Sequence, residues 1–346
     1  MGFRILNLPL VPFREILKML EFSEIISISF CSQRCHNVTK RNLYKLKDWG
    51  ICCVMGPTPR IILQKGREKR DILEVFQDDS LKIPRWRTKV ELITFTRTLF
   101  RVSMKTSRYL TSFWLDIQFG MFECAKYVTE LFQKGLHMIH FGNESMWMMN
   151  IIEIITQPSV TKTYFHNVDH SHLNKIALLH VLETCSSDNL EILGWVDKGL
   201  RRFIRFGSFR TIDVFCGEWI TVKHVTKMKC SHASITYSKW TYADINKFLR
   251  NWIYRGGMPN LRWFNIGIRV DRIREEAMLD GLEEFVKRTE TKRKFLNSNA
   301  WYKFDGEKTE KDYQFNDGLE IHSRTGLVAS IHIDSDTKQF RMAVWH

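Results

Sequence analysis

The stretch Trp240-Thr-Tyr-Ala-Asp244-Ile-Asn-Lys-Phe-Leu249-Arg-Asn-Trp252, followed by Gly256-Gly-Met-Pro259-Asn260-Leu261, decides how the larger part of the chain folds. Thr241 and Asp244 have capping-box spacing, which satisfies free N–H groups at a helix start, and Trp240 is placed to staple onto Ile245. Ile245, Phe248, Leu249, Trp252 and Ile253 repeat at the helical period, so the spacing predicts a helix over 242–255 with one buried stripe. Gly256-Gly257 and then Pro259 end it. Short β-like runs flank this helix, Ala233 to Tyr237 before it and Arg262 to Ile266 after it. The local unit is strand, helix, strand.

The same alternation extends toward lower numbers. Thr163-Tyr164-Phe165, Leu190 to Leu193 and Thr211 to Phe215 are further β-like runs, with helical patterns between them and a period of roughly 20 to 30 residues. An irregular leucine-rich-repeat-like solenoid alternates in this way, and so does an α/β domain with parallel strands and crossover helices. Earlier still, Ile51 to Met55 and Ile61-Ile62-Leu63 flank Gly56-Pro57-Thr58-Pro59, which predicts a hairpin opening a second region. Helices are expected near Phe122 to Phe132 and Met146 to Ile155.

Between residues 3 and 45 the pattern is helical. Phe13, Ile16, Leu17 and Leu20 fall at i, i+3, i+4 and i+7 on one stripe, with Pro12 tolerated in the first turn and Arg14, Glu15, Lys18 and Glu21 facing away. Ser23 is the expected N-cap of a second helix carrying Ile25, Ile26, Ile28 and Phe30, and Ser32 that of a third carrying Cys35 and Val38. So short a segment buries little by itself and needs something to cover its stripe.

Leu8-Pro9, Ile16-Leu17, Leu20, Ile25-Ile26 and the Cys31-Ser32-Gln33-Arg34 turn resemble an F-box, with Val11-Pro12 departing from the usual acidic residue after Leu-Pro. The string from Trp240 to Leu261 resembles the type-2 F-box-associated domain of a large nematode family, over about residues 200 to 298. These resemblances imply a substrate adaptor. The F-box would dock on the Skp adaptor of a cullin-RING ubiquitin ligase through Leu8, Pro9, Phe13, Ile16, Leu17, Leu20, Ile25 and Ile26, and the rest of the chain would hold a protein target whose binding residues stay unknown. Catalysis would belong to partner subunits, with no cofactor. The expected fold is α+β/α/β: a three-helix F-box at 3–45, an α/β region at 46–160 without an assigned role, an F-box-associated α/β domain of leucine-rich-repeat-like units at 161–298, and C-terminal strands at 299–346.

Composition agrees with a folded intracellular protein. Of 346 residues 44% are hydrophobic, enough for a core, yet the longest apolar runs, such as Met146 to Met149, fall far short of the ~18 residues of a membrane span. No secretory signal is visible, and eight cysteines without a framework suit a reducing compartment, cytosolic or nuclear. The balance of 52 basic to 38 acidic residues gives a net charge of +14. This leaves a nucleic-acid-binding protein as the rival reading, although the basic runs at 65–70, 85–108, 198–210 and 287–294 are scattered and an acidic protein partner satisfies them equally. The run Lys287 to Lys294 reads as the solvated end of a helix or as an import signal.

Enzymatic signatures are missing from the sequence: no P-loop, no Gly-x-Gly-x-x-Gly, no His-Glu-x-x-His and no Gly-x-Ser-x-Gly. His166, Asp169, His170 and His172 are the most ligand-like cluster, followed by Cys31, Cys35 and His36. Helix caps and core packing explain both sets better, and no metal is expected.

Overall fold

The computed structural model describes residues 8–43, 48–56, 58–77, 90–95, 98–105, 109–141, 162–166, 172–184, 187–196, 204, 206–269, 274–290, 292–296, 312–316, 318–334 and 336–345. They fall into two compact units, 1–160 and 161–346.

The first unit opens with three helices, α1 (Leu10–Met19), α2 (Phe22–Phe30) and α3 (Gln33–Asn42). Ser32 caps α3 as expected, its hydroxyl accepting from the Cys35 N–H at 3.1 Å. Ser23 does not cap α2. The helix begins earlier, where the Glu21 N–H donates to the Glu24 carboxylate at 2.7 Å, and Ser23 is buried at 1% exposure inside it. Strands β1 (Gly50–Val54), β2 (Arg60–Lys65), β3 (Glu68–Gln77), β4 (Val90–Phe95), β5 (Thr98–Lys105), β6 (Tyr109–Trp114) and β7 (Leu136–Phe141) form a sheet in the order β7-β1-β2-β3-β6-β5-β4. The predicted hairpin is β1–β2, antiparallel from Gly50↔Gln64 to Val54↔Arg60. One long helix, α4 (Ile117–Phe132), links β6 to β7. The Asp116 carboxylate starts it by accepting from the Gln118 and Phe119 N–H groups at 2.8 and 3.1 Å. Its buried side, with Met121, Cys124, Ala125, Val128 and Leu131, lies on the sheet so closely that a Cβ on Gly120 would run into the Trp114 ring. The second helix expected nearby, Met146 to Ile155, lies outside the described residues.

In the second unit the elements are β8 (Lys162–His166), β9 (His172–Leu173), α5 (Lys175–Thr184), β10 (Asn189–Leu193), β11 (Trp195–Val196), β12 (Thr211–Val214), α6 (Val222–Val225), β13 (His232–Trp240), α7 (Tyr242–Arg255), β14 (Trp263–Ile268) and α8 (Glu275–Leu279), then β15 (Val286–Arg288), β16 (Arg293–Leu296), β17 (Asp312–Phe315), β18 (Leu319–His322), β19 (Val328–Asp334) and β20 (Gln339–Trp345). All five β-like runs of the sequence are strands, and β8, β10, β12, β13 and β14 pair in parallel and in chain order. Beyond β14 the sheet turns antiparallel through β20, β19, β18 and β15. Of the strands past residue 299, β18, β19 and β20 therefore extend the sheet, while β17 pairs with β16 in a separate hairpin.

Register partners explain the core. Leu190, Ile212, Ala233, Phe264 and Met342 form one cross-strand row and Ile192, Val214, Ile235, Ile266 and Phe340 another, all buried. Because successive side chains on a strand alternate between faces, the intervening positions Glu191, Asp213, Ser234, Asn265 and Arg341 make a polar row on the other face. Helix α7 covers the apolar face, with Phe248 4.6 Å from Phe264. On the opposite face, at the β14–β20 end, the hairpin β16–β17 stacks Phe295 on Trp263 at 4.9 Å. Lys287 to Lys294 is thus not a helix end. It spans β15 and the start of β16, with Arg288, Arg293 and Lys294 paired to Glu275, Glu320 and Asp312.

Candidate functional site

The structure divides the eight anchor residues expected at 8–26. Phe13 and Leu17 are 1% and 2% exposed, and Ile25 and Ile26 are fully buried. Their burial is already complete within this chain, so they close its core. Leu8, Ile16 and Leu20 are half-buried, and Pro9 is exposed. Three apolar residues that the periodic stripe leaves out stand further into solvent: Leu10 at 59%, Val11 at 69% and Met19 at 84% exposure. Residues four apart share a helix face. Val11, Glu15 and Met19 therefore form one row beside Pro12, Ile16 and Leu20, with the Glu15 carboxylate held by Lys18 at 2.7 Å.

What holds the three helices from below is specific. The Ser29 hydroxyl lies 2.5 Å from the Tyr127 hydroxyl of α4, and the Tyr127 ring is 4.9 Å from Phe30 and 5.0 Å from His36. Phe22 packs edge-on to Trp49 and Phe132 at 5.4 and 6.2 Å. Charged groups ring this contact: Lys40 meets Glu130 at 3.0 Å, and Arg70 reaches Glu21 at 3.1 Å and Glu68 at 2.7 Å. One side of the helical segment is consumed by its own unit. The row with Val11 and Met19 is left outward.

In the second unit α7 is built as its sequence dictates. Thr241 donates to the Asp244 carboxylate from its N–H at 3.0 Å and from its hydroxyl at 2.9 Å, Gly256 closes the helix at φ 62°, and the five stripe residues are buried. The Trp240 ring lies 6.0 Å from Phe248 and 5.9 Å from Phe264, while its indole N–H donates to the Ile220 carbonyl at 2.9 Å. Trp240 and Trp252 are core residues.

The chain carries an F-box domain. Residues 5–47 match the family described as F-box domain, and residues 201–266, from before β12 to within β14, match the family described as F-box associated. An uncharacterized protein of Caenorhabditis elegans is 20% identical over an alignment covering 99% of this chain and 78% of that protein. No solved structure matches. F-box domains generally bind a Skp-type adaptor and through it cullin ligases, so the pair of domains points in general to a substrate-recognition adaptor.

Within the F-box, Cys31 is exposed and Cys35 is buried, where it takes a bond from the Ser32 hydroxyl at 3.1 Å. Among the described residues no group of three His, Cys, Asp or Glu side chains is placed to hold a metal ion. The cluster running from His166 to His172 falls mostly outside them. Burial pushes the Cys124 and Cys230 thiols up to about 12 and raises Cys53 as well. Such thiols stay protonated and make poor nucleophiles.

The sequence signal for Leu10, Val11 and Met19 was present in negative form. They are apolar residues of an F-box helix that its own periodic stripe does not use.

Proposed function

We propose that this protein is a non-catalytic substrate adaptor of a Skp-cullin-F-box ubiquitin ligase, acting by proximity in the cytoplasm or nucleus. The Skp-type adaptor docks on the outward side of the F-box, on Leu8, Pro9, Ile16 and Leu20 of the expected set together with Val11 and Met19. Phe13, Leu17, Ile25 and Ile26 support that surface from inside. The observation that carries the reading is that Val11 and Met19, on either side of Glu15, are left exposed on α1 after the opposite side of the helical segment has been closed by Tyr127, Trp49 and Phe132. Apolar side chains clustered on a surface mark interaction sites.

The second unit is the target-binding part. We read β8 to β14 as irregular leucine-rich-repeat-like units. Support comes from the in-order parallel pairing and from the polar row on one face, since a doubly covered parallel sheet is apolar on both faces. The unit's cations are spread over several strands, which suits an acidic protein partner.

Co-elution of a purified Skp-type adaptor with the intact chain in gel filtration tests the assignment. Separate elution at micromolar concentrations of both overturns it.

A further inference from the structure

The carboxyl ends of β11, β12, β13 and β14 surround a cleft of about 790 Å³. Three exposed aromatic residues line it: Trp195 of β11 at 39%, Phe215 just past β12 at 44% and Tyr237 within β13 at 58% exposure. The Tyr237 ring lies 5.0 Å from Phe215 and 6.3 Å from Trp195. So much aromatic surface in water is costly, and aromatic side chains are enriched where proteins grip partners.

The backbone holds Tyr237 there at a cost. Its φ is 48°, in the left-handed region that residues other than glycine rarely adopt. The pairing of β13 with β14 is irregular between Ile235 and Trp240, where Tyr237 stands out of the ladder. On either side the strand is pinned: the Thr236 hydroxyl donates to the Phe215 carbonyl at 2.6 Å, and the Ser238 hydroxyl donates to the Gly267 carbonyl. A bulge that re-aims a side chain is a recurrent device beside binding sites.

Charge gives the cleft a sign. Glu218 is its one lining carboxylate among the described residues, and Lys239 pairs with it. Arg269 and Lys338 also line the cleft, and among the described residues neither has a carboxylate partner. Parallel sheets place ligand crevices at the carboxyl ends of their strands.

We propose that this cleft is the target-recognition site and that it binds an acidic peptide segment carrying an aromatic side chain. The aromatic residue packs among Trp195, Phe215 and Tyr237, and its neighbouring carboxylates meet Arg269 and Lys338. The proposal rests on the adaptor reading for its biological meaning, but the chemistry of the cleft is tested independently of it.

The experiment is selection of random displayed peptides on the intact chain. Titrations of the enriched peptides follow against the wild type, Tyr237→Ala and Arg269→Glu/Lys338→Glu, with adaptor co-elution run on all three proteins. The expected result is enrichment of peptides with Asp or Glu beside an aromatic residue. Their affinity should drop about tenfold or more in either variant, as for loss of a central aromatic or charged anchor, with adaptor co-elution and melting temperature unchanged. Enrichment of non-acidic peptides, no enrichment, or affinities that neither variant alters overturns the cleft assignment, while adaptor binding stands or falls by its own readout. Should one variant melt early, the other decides.

Discussion

The hydroxyls of Ser29 and Tyr127, 98 positions apart in the chain, meet at 2.5 Å in a buried contact that fastens the second F-box helix to the long helix α4. Ser29 also donates to the Ile26 carbonyl at 2.7 Å. Tyr127→Phe therefore leaves Ser29 partnered and is expected to cost about 1 kcal/mol, the net worth of one hydrogen bond. Tyr127→Ala also removes the ring packed on Phe30 and His36, with an expected loss of ~3–5 kcal/mol. Urea unfolding measures both, and amide exchange in α2 and α3 should accelerate more in Tyr127→Ala than in Tyr127→Phe.

This contact marks the limit of what the sequence discloses. Helix 242–255, its caps and the five strands from 163 to 266 are legible because capping chemistry and side-chain period are local properties. The sorting of the F-box apolar residues is not. Periodicity finds the stripe Phe13, Ile16, Leu17, Leu20, but only the folded unit, in which α1 packs on α3, shows that Phe13 and Leu17 are buried in the protein's own core. Ser23 misleads for the same reason. A serine is a good cap where water or backbone N–H groups are at hand, but here the Glu21–Glu24 pair sets the boundary two residues earlier and tertiary contacts bury the serine. Lys287 to Lys294 misleads because its strands pair with residues 312–315 and 319–321, beyond any local window.

Asp244→Ala removes both hydrogen bonds from Thr241 at the start of α7. A loss of ~1 kcal/mol is expected, as for helix-cap deletions generally. The check is the thermal or urea midpoint of the intact chain, and adaptor binding should not change.

His232 stands at the start of β13, 4% exposed, with its Nδ1 2.8 Å from the Ser231 hydroxyl. Burial, reinforced by Arg210 and Arg262, holds it down at about 4. The unfolded chain therefore binds a proton near pH 6.5 that the folded chain refuses until about pH 4. Stability from this residue is complete above the unfolded value and declines as pH falls through that window, by up to ~3 kcal/mol. Urea midpoints between pH 7 and pH 4.5 should fall in the wild type and fall less steeply in His232→Gln.

Salt separates the adaptor reading from nucleic-acid binding. Docking through Val11, Ile16, Met19 and Leu20 should change affinity little between 50 and 200 mM salt, whereas contacts to several phosphates would weaken binding by roughly a thousandfold or more over that range. Titrations of the adaptor and of a random-sequence duplex at both salt concentrations make the comparison.

The central claim is that the outward side of α1, with Val11 and Met19, and not its buried Phe13 and Leu17, is the docking surface. The most direct measurement is the dissociation constant of a purified Skp-type adaptor for the intact chain and for Val11→Ser/Met19→Ser. Both positions lie in solvent, so circular dichroism and melting temperature should be unchanged. Affinity is expected to fall by ~100-fold or more, in line with interface anchors worth about 1–3 kcal/mol each. An unchanged dissociation constant in the folded variant, or no binding by the intact chain, would contradict the account.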